Sequence, residues 1–352
     1  MLNSTTSPAS GSASRPASRP ASGPNLPQGC CSQAGPALRD TVLAYVGYRY
    51  GKRSPQRRIL FPDTSVNVQF GFGLPVRTVD LVDPLRSTSA SSRAELPHTT
   101  ALLGEHGGEV HGIVMRLNPM GAYRLFGVPM AEWDLPHLDP ALLLPPALRF
   151  LPEQLEETET WSEQFRLLDR HFTPLLEHGP QVAPEVEWAW RELHRSRGLL
   201  RVRDLAVRSN WSVRHLERRF REQVGRSPGE IARILRFGNA LRLQDTGLPL
   251  AKVALAGGFH DQAHYNHVFK SMTGFTPTQV PANRVDWSPY TANQRPDGGG
   301  LGERVFHMRI PTTPAPPTTP APPTTPAPPA TPAGDSVHVP GGRRCQPTSK
   351  AR

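Results

Sequence analysis

Cysteine is nearly missing from this 352-residue sequence: Cys30 and Cys31 are adjacent near one end and Cys345 stands alone near the other. The long middle therefore has no thiol, which excludes a disulfide framework and a thiolate zinc site there. Long apolar runs are missing too. No stretch of about 18 uninterrupted apolar residues occurs, so a transmembrane helix is not expected. The Ser/Pro/Ala-rich start lacks the apolar segment of a secretory signal, and the expected location is the cytoplasm. No Gly-rich phosphate loop is expected, and the GFG from Gly71 to Gly73 is too short to cradle a phosphate.

What the sequence has in excess is proline and positive charge. Of 40 prolines, 6 precede residue 37 and 15 follow residue 284. Residues 1–36 hold too few aliphatic or aromatic side chains to offset the entropy of ordering, and read as a disordered arm. Residues 285–352 read as a disordered tail, in which PTTPAP runs three times in succession from Pro311 to Pro328 and favours extended polyproline II. The net charge of +10 is concentrated: residues 185–284 carry 17 Lys/Arg against 9 Asp/Glu, while residues 137–184 carry 8 acids against 3 Arg. A basic segment of this kind suits a polyanionic partner.

Between the ends the hydrophobic period changes once. From about residue 41 to 130, runs such as TVLAYVGYRY, SVNVQFGF and VHGIVMRL, punctuated by Gly and Pro, predict strands. From about 160, Trp161, Phe165, Leu168 and Phe172 recur at helical spacing. The expected architecture is α+β and multidomain: a β-rich sensor or assembly domain at 37–152, a helical linker at 153–182, and an all-helical domain at 183–284. His98, Glu105, His106, Glu109 and His111 hold metal-ligand chemistry but lie among glycines without regular ligand spacing. They read as surface polar residues of a loop, and no metal, cofactor or catalytic residue is expected.

The helical domain contains a repeat of 49 residues. Ser212, Leu216, Phe220, Gly225 and Pro228 correspond to Asp261, Tyr265, Phe269, Gly274 and Pro277. Each set predicts a helix with an N-cap oxygen, two core residues a turn apart, and glycine then proline at its end. Shorter helical stretches, RVRDLAVRS and LAKVALAG, precede the two copies, with tight turns at Ser209 to Trp211 and Gly257 to Phe259. The plan is helix-turn-helix, twice. Ile231, Ile234, Leu235 and Leu241 mark one connecting helix.

At 100° per residue, Val213, Leu216, Phe220 and Val224 form the core stripe of the first long helix, and Arg214, Arg218 and Arg221 lie away from it. In the second, Tyr265, Val268, Phe269 and Met272 face inward. Ala263, His267 and Lys270 face outward, and Gln262 and Asn266 stand near the helix start. Arginine can bind guanine bidentately, and Asn or Gln can bind adenine.

These residues resemble the AraC/XylS family of bacterial transcription regulators. The likeness covers about residues 183–282 and is most specific in GGFHDQAHYNHVFKSMTGFTPTQ, from Gly257 to Gln279, supported by LAVRSNWSVRHLERRFREQVGRSP from Leu205 to Pro228. More loosely, ILFPDTSVNVQFGF and RLNPMGAYRLFGVPM resemble the amino-terminal domain of one subgroup. The resemblance implies double-stranded DNA as partner, with Ser212, Arg214, His215, Glu217, Arg218 and Arg221 on the first reading helix. Gln262, Ala263, Asn266, His267 and Lys270 are implied on the second. His267 stands where arginine is common in the family, which implies a weaker second helix. The resemblance leaves open a small-molecule effector, a homodimer through the β-rich domain, and RNA polymerase contact if the protein activates. The competing readings are an architectural DNA binder without sequence preference and an enzyme in the β-rich domain.

Overall fold

The computed structural model describes residues 28–51, 56–133, 138–280 and 307–309. Its first half is strands: β1 (Gln28–Ser32), β2 (Val42–Tyr50), β3 (Gln56–Leu60), β4 (Val66–Gly71), β5 (Val76–Asp80), β6 (Ser87–Ala90), β7 (Arg93–Glu95), β8 (Leu102–His106), β9 (Val110–Leu117) and, far along the chain, β10 (His307–Arg309). They form two five-stranded sheets, ordered β1-β2-β9-β4-β7 and β10-β3-β8-β5-β6. Valines, isoleucines and aromatics suit these pleated, half-buried positions. In the first sheet Val46 pairs with Val114, and Val68 with Met115.

Helix α1 (Pro119–Phe126) follows β9 at once. Asn118 caps it by accepting the Gly121 N–H at 2.6 Å, Pro119 supplies a preset first residue, and Gly127 ends it at φ 67°. Helices α2 (Leu151–Glu157) and α3 (Trp161–His178) come next. Phe165, Leu168, Phe172 and Leu176 of α3 join Tyr45, Val68, Ile113 and Phe126 in one core. Tyr45 stacks on Phe165 at 5.4 Å and donates its hydroxyl to Asp169 at 2.9 Å.

The stretch 153–182 is helical but is no mere linker, because the buried stripe of α3 covers the first sheet. At the ends, β1 pairs antiparallel with β2 and β10 pairs antiparallel with β3. Residues 1–27, 281–306 and 310–352, which include the PTTPAP repeats, lie outside the described residues. Of the His/Glu cluster, Glu105 and His106 end β8 in the second sheet and His111 is the second residue of β9 in the first, while Glu109 lies in the connection between them at φ 53° and His98 stands apart in an isolated bridge with Asp63, so only part of the cluster is loop. His106 packs its ring 4.6 Å from that of Tyr50.

The second half is helical: α4 (Pro184–Arg195), α5 (Val202–Arg208), α6 (Val213–Val224), α7 (Pro228–Asp245), α8 (Leu250–Ala256) and α9 (Gln262–Thr273). Leu216, Phe220, Phe237, Tyr265 and Phe269 lie at the centre of their core, and Ile59 and Leu103 of the second sheet, with Phe61 and Ala101 beside its strands, belong to it. The β-rich and helical parts thus share a hydrophobic boundary, with Phe61 6.2 Å from Phe237. Two bonds reinforce it: Arg226 Nε donates to the Pro97 carbonyl at 2.7 Å, and the Ala101 N–H to the Met272 carbonyl at 2.7 Å.

Candidate DNA interface

The two helix-turn-helix units are built by the same local bonds. After α5, the N–H groups of Ser209, Asn210 and Trp211 donate to the carbonyls of Leu205, Val207 and Ala206. After α8, those of Gly257, Gly258 and Phe259 donate to Val253, Leu255 and Ala254. Asn210 and Gly258 take the left-handed conformation that closes each turn, at φ 57° and 78°. The second turn is one residue longer. Trp211 is followed at once by the cap Ser212, whereas His260 stands between Phe259 and the cap Asp261. The copies therefore align 48 residues apart in their short helices and 49 apart in their long ones.

Both long helices, α6 and α9, have 12 residues and matching caps. Ser212 Oγ accepts the His215 N–H at 3.2 Å, and Asp261 Oδ1 accepts the His264 N–H at 2.7 Å. That bond, with help from His260, holds the Asp261 carboxyl below the usual carboxylate range. Gly225 and Gly274 close the helices at φ 82° and 77°. Helix α7 joins the units from a full capping box, in which Glu230 answers Ser227. Its 18 residues span about 27 Å at 1.5 Å each.

On α6, Arg214, Arg218 and Arg221 are exposed, as are the caps Ser212 and Asp261. Glu217 and His215 are half-buried: Glu217 Oε2 lies 3.8 Å from Arg221 Nη1, and the His215 ring meets Trp211 at 4.4 Å. Val213 is 39% exposed and does not join the core stripe, because Leu216, Phe220 and Val224 already fill it from one turn further in. On α9, Gln262, Ala263, His267 and Lys270 are exposed and Asn266 is half-buried, its Oδ1 without a partner among the described residues. Val268 is only partly buried. The expected residues thus share the outward faces of two equivalent helices.

Sequence reasoning missed two features. On α7, Arg233 donates to Ser271 at 2.6 Å, and burial together with the Arg233 charge lowers the proton affinity of the neighbouring Arg236. In addition, α6 packs against α1 and against a 3-10 turn at Met130–Trp133. The arginine face of α6 looks into an open cleft of ≈ 790 Å³ whose other wall is Pro129, Ala131 and Glu132. No periodicity could have signalled a contact between segments so far apart in sequence.

The family model "Helix-turn-helix domain" matches residues 205–283. Over 99 residues the chain is 30% identical to the probable transcription factor PqrA of Proteus vulgaris, covering 28% of this chain and 80% of that protein. The chain belongs to the AraC/XylS family. It is accordingly a DNA-binding transcription regulator with a β-rich domain ahead of its helix-turn-helix units, a family of regulators and not of enzymes. Among solved structures, ToxT from Vibrio cholerae shares 11% identity over 64% of this chain and 95% of that one, with a TM-score of 0.36. Wild-type ToxT bound to an unsaturated fatty acid shares 11% identity over 63% and 91%, with a TM-score of 0.33. At such scores the overall superposition is poor. Among the described residues no helix is long and apolar enough to cross a membrane.

Proposed function

We propose that this AraC/XylS-family protein reads a specific, asymmetric DNA site by placing α6 and α9 in two successive major-groove segments, and that its β-rich domain controls access to α6. The observation that carries the reading is the exposed face of α6, where Arg214, Arg218 and Arg221 stand clear of the core. Arg218, at the middle of that face, is suited to a guanine edge; Arg221, nearer the end, to a phosphate. Two helices joined by a rigid α7 fit successive grooves about one DNA turn, ~34 Å, apart. Gln262, Asn266 and His267 supply fewer charged contacts, so α9 contributes less to selectivity.

The control arises from competition. DNA and the 3-10 turn Met130–Trp133 both need the space beside α6, so any effector or self-association that draws the turn away raises the population able to bind. Genome-wide binding-site mapping followed by footprinting tests the first part: two protected segments one turn apart are expected, and uniform protection of unrelated duplexes would overturn it. Ala131→Arg tests the second, since a bulky cation on the exposed wall opposite Arg218 should open the cleft and tighten DNA binding several-fold. Unchanged affinity would refute the competition.

A further inference from the structure

Three arginines gather where the two helix-turn-helix units meet, and none of them forms an ion pair among the described residues. Arg197 stands between α4 and α5, exposed, with a left-handed backbone at φ 52°. Its Nη1 donates to Asn239 Oδ1 of α7 at 3.2 Å, an oxygen that also accepts from Arg242 Nη2 at 2.9 Å. Arg236 lies about one turn before Asn239, and its Nε is buried without a partner among the described residues. The Arg236 Cδ is 3.7 Å from where a Cβ on Gly258 would stand, so its stem packs on the turn that leads into α9. Arg233, a further turn back, donates to the Ser271 hydroxyl of α9 at 2.6 Å. Arg233 and Arg236 are both half-buried.

A guanidinium that loses part of its water needs acceptors, and carboxylates are the usual ones. Here the acceptors are one shared amide oxygen and one hydroxyl, both neutral. Arg233 and Arg236 also share a face of α7, where like charges oppose each other; burial and the Arg233 charge lower the proton affinity of Arg236. An anion among these groups relieves both penalties. Position identifies the anion. Arg236 is at the middle of α7, between the unit that carries α6 and the turn that enters α9. A duplex that receives both reading helices must pass its backbone across this junction, and phosphate oxygens match the guanidinium fork.

We propose that Arg197, Arg233 and Arg236 bind the DNA backbone phosphates between the two major-groove segments and so fix the spacing at which α6 and α9 read. This rests on the placement of α6 and α9 proposed above. The test uses the full chain and its footprinted duplex, with the linkages between the two protected segments replaced one at a time by uncharged methylphosphonate. At least one replacement should weaken wild-type binding several-fold. Arg236→Gln should weaken specific and scrambled duplexes alike, reduce the salt slope by about one, and lose the response to that linkage. Arg236→Lys, which keeps the charge, should retain both the slope and the response. A purely structural role would lower the thermal midpoint and leave the linkage effect in place. If Arg236→Gln does not fold, Arg197→Gln, at a position outside any helix, is read in the same way. With two protected segments present, the proposal is overturned if no linkage matters, the result expected of a site for free phosphate, or if the folded variants respond as the wild type does. A footprint without two segments one turn apart overturns the placement of α6 and α9, and this proposal with it.

Discussion

Gly225 and Gly274, equivalent residues of the two repeats, end the two reading helices in the same left-handed turn, and both abut the β-rich domain. A Cβ on Gly225 would come 2.6 Å from Leu96 Cδ2, and one on Gly274 3.2 Å from the Leu81 carbonyl oxygen. Each glycine thus meets two demands at once: a backbone conformation that costs an L-residue about 1–2 kcal/mol, and a close approach between domains. Gly225→Ala should destabilise the fold by about 1 kcal/mol more than Gly274→Ala, and so lower the thermal midpoint further, because Leu96 must also be displaced. Equal shifts would show that the Leu96 contact carries no energy.

The arginines of α6 should differ in kind. Arg218→Ala should cost about 1–3 kcal/mol and relax selectivity at one base pair. Arg221→Ala should weaken all sequences alike and reduce the salt slope by about one. Binding isotherms on specific and scrambled duplexes at several salt concentrations separate the two. An Arg218→Ala protein with unchanged affinity and selectivity would remove α6 as the principal reader.

The helix-turn-helix units were legible in the sequence because their determinants are local: caps at Ser212 and Asp261, glycines at 225 and 274, core residues one turn apart. The connecting helix was legible for the same reason. Val213 was misassigned because a helical wheel fixes an angle but not what stands opposite, and at the first turn of α6 the core has already ended. The extra residue His260 stayed hidden because the repeat was aligned on the long helices. Pairings that join distant segments, such as β1 with β2, β10 with β3, α3 with the first sheet and α6 with Met130–Trp133, leave no periodic trace in either partner. The candidate reading residues were therefore visible, whereas the cleft that faces them and the arginine group beside α7 were not.

His106 predicts an acid sensitivity of the β-rich domain. Burial and the nearby Arg58 charge push its imidazole down to about 4, against about 6.5 in an unfolded chain. The unfolded state therefore binds more protons between these values, so stability is intact above about pH 6.5 and falls as pH drops towards 4. After screening by solvent the loss from this group is on the order of 2 kcal/mol. His111 and His171 are shifted the same way by burial, so the assay must be differential. Urea unfolding at pH 7 and pH 5 should show a smaller loss for His106→Gln than for wild type, and identical losses would assign the sensitivity elsewhere.

Arg226 offers the most direct measure of how firmly the two domains are coupled. It follows the glycine that ends α6, and its Nε donates to the Pro97 carbonyl at 2.7 Å, a charge-assisted bond across the boundary. Bonds of this kind contribute about 1.5–3 kcal/mol. Arg226→Ala should therefore loosen the boundary without touching the helical core, and calorimetric unfolding should broaden or split into two transitions, since a weakened interface lets each domain melt alone. If the turn at Met130–Trp133 competes with DNA for α6, the same substitution should raise DNA affinity. The two readouts are linked by one equilibrium: a variant that uncouples the melts yet leaves DNA affinity unchanged would show that the domains touch without regulating each other.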